Sequence, residues 1–304
     1  MEKPKKKLVI FMPSMEGGGV EKNIIIISNY LSRYLKNTSL ITFDKKFNKK
    51  FSKKIDIKNL NFDSTKKYSK YFKYFMCLLV FLKIILKDRN IVLFAFQANI
   101  YCIILCKIFD IPVIVRSNSS PSGWTQNIFK NLLFNFFFKL CNALIVNSHE
   151  FKREIDRKFN INSKVIYNPL NKNEIIQKSF AKNKFTFFDK KKTLKIINIA
   201  RFTDQKDQIT LLRAFKIVQS KINAKLLLIG YGVNENLLLN YIKNNKLKKK
   251  VKIINYKDNP FPYLKKSNLF ILSSLYEGLP NVLLEALTLK KFIISSDCPT
   301  GPKE

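Results

Sequence analysis

Histidine is almost missing from this chain of 304 residues: there is one His, one Trp, eight Gly and only 21 acidic residues. The single His is His149, and Cys102 and Cys106, four apart, have no His or acid beside them, so core packing rather than a metal site is expected there. Five Cys is an odd number, and four of the five lie in apolar segments. That fits buried thiols in a reducing compartment better than a disulfide framework. Long apolar runs are also absent. The best candidate, residues 71–87, is interrupted by Lys73 and Lys83, which leave nine uncharged residues between them where a membrane span needs about 20. The short apolar run at the N-terminus ends in Pro13-Ser14-Met15 and lacks a cleavage pattern, so a cytoplasmic protein is expected.

What is abundant is lysine. Of 56 basic residues only seven are Arg, and the net charge is +35. An AT-rich coding bias is one source of such usage; a basic face for anionic lipid, at about 1 kcal/mol per Lys or Arg near the surface, or for nucleic acid is another. No nucleic-acid-binding motif accompanies the charge, so no specific nucleic-acid partner is expected. With 46% hydrophobic and 13% aromatic residues the chain is folded, and its length suffices for two domains of about 150 residues, each with its own core.

Apolar runs alternate with helical periodicity along the whole chain. A run at 7–14 is followed by Gly17, Gly18 and Gly19 and then by Val20, Ile24, Ile27, Leu31 and Tyr34 at helical spacing: strand, glycine turn, helix. Strands are expected near 40–43, 91–96, 112–117 and 143–148, with helices at 71–86, 100–109, 128–140 and 150–159. A polar, Lys- and Asn-rich stretch at 171–192 reads as an interdomain connection and surface loop, dividing a first domain (1–170) from a second (193–304). In the second, strands are expected to begin near 194, 225, 250, 269 and 292. Strict alternation predicts an α/β protein with two doubly wound parallel sheets and ligands at the carboxyl ends of the strands. The sequence stops at Glu304 just after a strand, which predicts that the chain is a fragment or that its second domain is incomplete, lacking its last β/α unit and helix.

The richest segment is 269–297. Glu277 and Glu285 stand with seven residues between them, and Gly278 and Pro280 prepare a helix start. The amides of Asn281, Val282 and Leu283 would then face out of a positive helix end, a site suited to a diphosphate. Glu285 lies five residues beyond Pro280, roughly 7.5 Å along the axis. One carboxylate thus precedes the anion site and one follows it, the layout a nucleotide sugar needs for its two hydroxyl-bearing ends. An ordinary helix with solvent-facing acids has the same spacing.

This segment resembles the E-x7-E signature of the retaining glycosyltransferases of family four, which have the GT-B fold of two Rossmann-like domains facing across a cleft. Similar landmarks occur in the family's order at Gly17-Gly18-Gly19, Tyr167-Asn168-Pro169, Ala200-Arg201-Phe202 with Lys206 five residues after Arg201, Gly230-Tyr231-Gly232, and the terminal segment 296–304. The resemblance implies retaining transfer from a nucleoside-diphosphate sugar to a polyprenyl-linked or surface-glycan acceptor. It implies that Arg201 and Lys206 hold the donor diphosphate, Glu277 the sugar and Glu285 the ribose, and that Gly17, Gly18 and Gly19 let the backbone approach the diphosphate or acceptor. Many relatives place a sugar-binding His in the first domain. His149 does not match that position and reads as a helix-start residue, so Arg116 and Asn118 are the expected cleft-facing replacements. No Asp-x-Asp motif stands where a metal would be held, which predicts catalysis without a metal or other cofactor. The Phe-rich segment 128–140, edged by Lys130 and Lys139, is expected to touch an anionic membrane surface on the cytoplasmic side, with core burial as the competing destination for its aromatics. A second reading of the whole is a truncated chain that binds nucleotide sugar without turnover.

Overall fold

The computed structural model describes residues 6–15, 17–60, 62, 68–118, 128–188 and 192–304. They form two compact units, Met1–Pro169 and Leu170–Glu304.

The first unit is a parallel sheet of seven strands: β1 (Lys7–Phe11), β2 (Thr38–Thr42), β3 (Ile55–Asn59), β4 (Ile91–Ala95), β5 (Val113–Arg116), β6 (Ala143–Val146) and β7 (Lys164–Val165), in the order β3-β2-β1-β4-β5-β6-β7. Its central strands are apolar on both faces because both are covered. On one face Leu8, Ile10 and Met12 pack with Ile24 of helix α1 (Gly19–Tyr34). On the other, Val9, Phe11, Leu93 and Val113 pack against four helices: α2 (Lys70–Lys87), α3 (Asn99–Ile108), α4 (Ile128–Leu140) and α5 (His149–Phe159). The strand order reverses at β1, whose neighbours β2 and β4 run to opposite edges.

The second unit repeats the plan with five parallel strands: β8 (Leu194–Ile199), β9 (Ala224–Ile229), β10 (Val251–Ile254), β11 (Leu269–Leu272) and β12 (Phe292–Ser295), ordered β10-β9-β8-β11-β12. Strand β8 is the switch strand, pairing with β9 from Leu194 to Ile199 and with β11 at Ile196 and Ile197. Its helices are α6 (Lys172–Ser179), α7 (Gln208–Lys221), α8 (Glu235–Asn244), α9 (Phe261–Lys266) and α10 (Asn281–Thr288).

Two expectations change. The stretch 171–192 is not a surface loop throughout: Asn171 caps α6 by accepting from the amide of Glu174 at 3.2 Å, Ile175 is buried, and Phe185 and Phe188 enter the core beside Ile197 and Leu227. Its apolar residues are too sparse and irregular to show a period. In α4 Phe138 is buried and Phe134, Phe137 and Leu140 pack against the same core, while Phe129 and Phe136 are exposed, so the aromatics of that helix divide between core and surface. Among the described residues no helix is long and apolar enough to cross a membrane.

Candidate active site

In open α/β sheets ligands bind in the crevice at the carboxyl ends of the strands where the strand order reverses. In the second unit those strands are β8 and β11, and the loops that leave them carry Arg201, Lys206 and Glu277. The two loops are tied to each other. Ser273 donates from Oγ to the carbonyl of Lys206 at 2.8 Å, Leu275 N–H to the carbonyl of Gln205 at 2.8 Å, and Gln205 Nε2 to the carbonyl of Tyr276 at 2.9 Å. Lys206 and Glu277, 71 residues apart, consequently meet: Lys206 Nζ forms an ion pair with Glu277 Oε1, and the same oxygen accepts from Ser274 Oγ at 2.5 Å. The side chains of this pair are only 15% and 7% exposed.

Arg201 is exposed, and its guanidinium makes no hydrogen bond or ion pair to the described residues. Its backbone is fixed instead. Gln208 Nε2 donates to the Arg201 carbonyl at 2.9 Å, and the amide of Phe202 donates to the carbonyl of Tyr231 at 2.8 Å. Glycine is required opposite this turn. A Cβ on Gly230 would lie 1.9 Å from the Ala200 carbonyl oxygen, and one on Gly232 would lie 2.2 Å from that of Phe202. The Gly-Tyr-Gly motif thus exists to let two loops touch.

Glu277 is held from behind by the last residues of the chain. Thr300 Oγ1 donates to the Glu277 carbonyl, Glu277 N–H donates to the Pro299 carbonyl at 3.4 Å, and Ser296 Oγ donates to the Ser274 carbonyl at 2.6 Å. Gly301, at φ +76°, passes so close that a Cβ there would sit 1.6 Å from the Gly278 oxygen. Cys298 is buried beside the pair, and burial, with the Glu277 charge adding, raises its thiol pKa.

Helix α10 begins at Asn281, with Pro280 in extended conformation as the N-cap rather than as the first helical residue, and no side chain caps it. Asn281, Leu283 and Glu285 are buried and Val282 half-buried. Asn281, Val282 and Leu283 form the first turn, directly after the Glu277 loop.

In the first unit the loop after β1 carries Gly17, Gly18 and Gly19. Gly17 takes φ +96°, Gly18 is the N-cap of α1, and Gly19 opens the helix. The approach to this turn is clamped: Gln97, after β4, exchanges hydrogen bonds of 3.0 and 2.9 Å with the backbone of Ser14, and Asp44, after β2, accepts from the Met15 amide at 2.8 Å. Arg116 is placed otherwise than the sequence suggests. It is 1% exposed, donating from Nη2 to the Ile166 carbonyl at 3.0 Å and to Asn168 Oδ1 at 2.9 Å, which ties β5 to the segment after β7. Desolvation lowers its guanidinium pKa to about 10, still well above neutral, so the charge is kept. Asn118 is half-buried, with no partner for its Oδ1 among the described residues, and the segment that follows it lies outside them. His149 opens α5 behind the Ser148 cap, exposed, with its ring 5.9 Å from that of Tyr167.

Two parallel doubly wound units are the plan of the GT-B fold. Comparison with known proteins gives the same fold. Residues 179–304 match the family described as glycosyl transferases group 1. An uncharacterized glycosyltransferase of Methanocaldococcus jannaschii is 34% identical over 66% of this chain and 53% of its own length, so the chain spans about half of that relative. The N-acetylgalactosamine-N,N'-diacetylbacillosaminyl-diphospho-undecaprenol 4-alpha-N-acetylgalactosaminyltransferase of Campylobacter jejuni is 25% identical over 98% of this chain and 83% of its own. The fold matches that of Anabaena HepE, solved in complex with UDP-glucose, with a TM-score of 0.73 at 16% identity over 96% of this chain and 81% of that one.

Proposed function

We propose that this chain transfers a sugar, with retention of anomeric configuration, from a nucleoside-diphosphate sugar to a lipid-linked or surface-glycan acceptor in bacterial polysaccharide, lipopolysaccharide or related glycan biosynthesis. The observation that carries this reading is the meeting of Lys206 and Glu277 at the carboxyl ends of β8 and β11, with Arg201 on the adjoining loop. Cleaving a glycosyl diphosphate leaves growing negative charge on the departing nucleotide, and Arg201 and Lys206 supply two cations to offset it. The first turn of α10 adds backbone donors and a positive helix end for the diphosphate. Glu277 accepts from sugar hydroxyls while Lys206 and Ser274 fix its orientation, and Glu285 accepts from the ribose. The glycine turn of the first unit allows close approach of the diphosphate or acceptor.

With the leaving-group charge met by side chains and helix amides, the reaction in this reading runs without a divalent ion. The C. jejuni relative is named for a diphospho-undecaprenol-linked acceptor, which supports an acceptor presented at the cytoplasmic membrane face. Nuclear magnetic resonance of the product formed from an α-linked donor tests retention: an α product is expected, and a β product contradicts it. Transfer should persist in chelator, and a loss restored by magnesium or manganese would remove the metal-independent part.

A further inference from the structure

Helices α2, α3, α4 and α5 cover the same face of the first sheet, since all four contribute to one core with Val9, Leu93 and Val113. Side chains pointing away from that core therefore share one outer surface. The outer residues of α5 are charged in both signs, among them Arg153, Glu154, Arg157 and Lys158, as befits a solvated helix. The other three differ. Helices α2, α3 and α4 contain seven Lys and not one Asp or Glu. Six of those lysines are exposed, and Lys73 instead pairs with Asp44 at 2.8 Å. Large apolar side chains stand among them: Tyr71 and Phe75 on α2, Ile108 on α3, and Phe129, Leu133 and Phe136 on α4 are each more than half exposed. Tyr71 and Phe75 are four apart, and Phe129, Leu133 and Phe136 follow i, i+4, i+7 spacing, so α2 and α4 each present a stripe, with Ile108 of α3 between them as a single residue.

We propose that this three-helix layer is a bilayer-docking surface for anionic lipid, with the aromatic and aliphatic residues entering the headgroup–acyl boundary and the lysines meeting lipid phosphates. The inference rests on the reading above that the acceptor is presented at a membrane, and it extends the expected contact from α4 alone to α2 and α3. Two features of the layer select this occupant. Exposed apolar residues in this number are costly in water and are stabilised at an interface. A surface with six exposed cations and no acid in its helices is complementary to anionic lipid and repels a second copy of itself.

The test is co-sedimentation of the full chain with phosphatidylcholine vesicles, with and without phosphatidylglycerol, beside the exposed-site variants Phe129→Gln/Phe136→Gln and Tyr71→Gln/Phe75→Gln. Circular dichroism melting confirms that they fold, and nucleotide-sugar titration runs in parallel. The parent should bind the phosphatidylglycerol vesicles at least about tenfold more tightly than pure phosphatidylcholine, and each variant should lose about tenfold of that affinity at unchanged melting temperature and donor affinity. In about 1 M salt part of the parent's binding should remain, because apolar insertion is not screened. The proposal is overturned if the parent stays free of both vesicles, if the variants bind like the parent, or if the parent forms a dimer that the variants abolish. Donor affinity without vesicle binding removes this surface alone, whereas vesicle binding without donor affinity removes the glycosyl-transfer reading and leaves the surface.

Discussion

At the scale of single residues, the Lys206–Glu277 pair is buried and, in the proposed function, is the centre of the chemistry. With both side chains largely withdrawn from water, loss of the ammonium in Lys206→Met leaves the Glu277 carboxylate with Ser274 as its remaining polar partner. The expected cost is about 3 kcal/mol, read from urea unfolding. Adding Glu277→Gln should recover much of it, giving a positive coupling in a double-mutant cycle; independent, additive losses would show that the pair is not coupled. The E-x7-E spacing and the Arg-x4-Lys spacing were visible in the sequence, but their direct contact was not. It depends on two loops being laced by Ser273, Leu275 and Gln205, whose bonds join residues about 70 positions apart. Arg116 shows the opposite failure. A lone charge at the end of a strand looks the same in sequence whether it faces a cleft or a core, and its partner Asn168 stands 52 residues away.

At the scale of elements, the Glu277 loop depends on the segment that ends the chain. Gly301→Ala places a methyl group against the Gly278 carbonyl at a φ of +76°, so one of the two backbones must move. A loss of about 1–3 kcal/mol of stability is expected, with weaker nucleotide-sugar binding in calorimetry. Thr300→Val, which removes only the hydroxyl, should weaken the donor and change melting less; donor affinity unchanged in both would show that this segment does not set the Glu277 position. Helices α2 and α3 make a different prediction through their buried thiols. Desolvation pushes Cys77 and Cys106 up to about 12, against an ordinary value of 9.0. Between those values the unfolded chain loses thiol protons that the folded chain keeps, so this contribution is complete below about pH 9 and is lost as pH rises toward 12. The urea midpoint should therefore fall less between about pH 8 and about pH 10 in Cys77→Val/Cys106→Val than in the parent, and equal slopes would contradict the burial of these thiols. Most elements were legible because strands and helices alternate with clear periods. Helix α6 was not, although its capping box, Asn171 with Glu174 three residues on, is present in the sequence; the few apolar residues of the stretch hid it.

At the scale of the molecule, two parallel sheets in doubly wound order were readable from the alternation alone, since buried parallel strands must be apolar on both faces. The division at Pro169 and Leu170 was less so, because α6 and the core residues Phe185 and Phe188 belong to the second unit while their sequence resembles a linker. The positive charge acquires a location: it includes a helix layer without acids, next to a helix with both signs. The central claim is donor cleavage at the β8–β11 switch, and mass spectrometry of products from a panel of nucleotide sugars with bacterial membrane extract tests it most directly. Full transfer by the parent is expected from at least one donor, with a fall of about 100-fold or more in Lys206→Ala and in Glu277→Ala at retained fold. Undiminished transfer in both variants, or no transfer by the parent from any donor in the panel, would contradict the account.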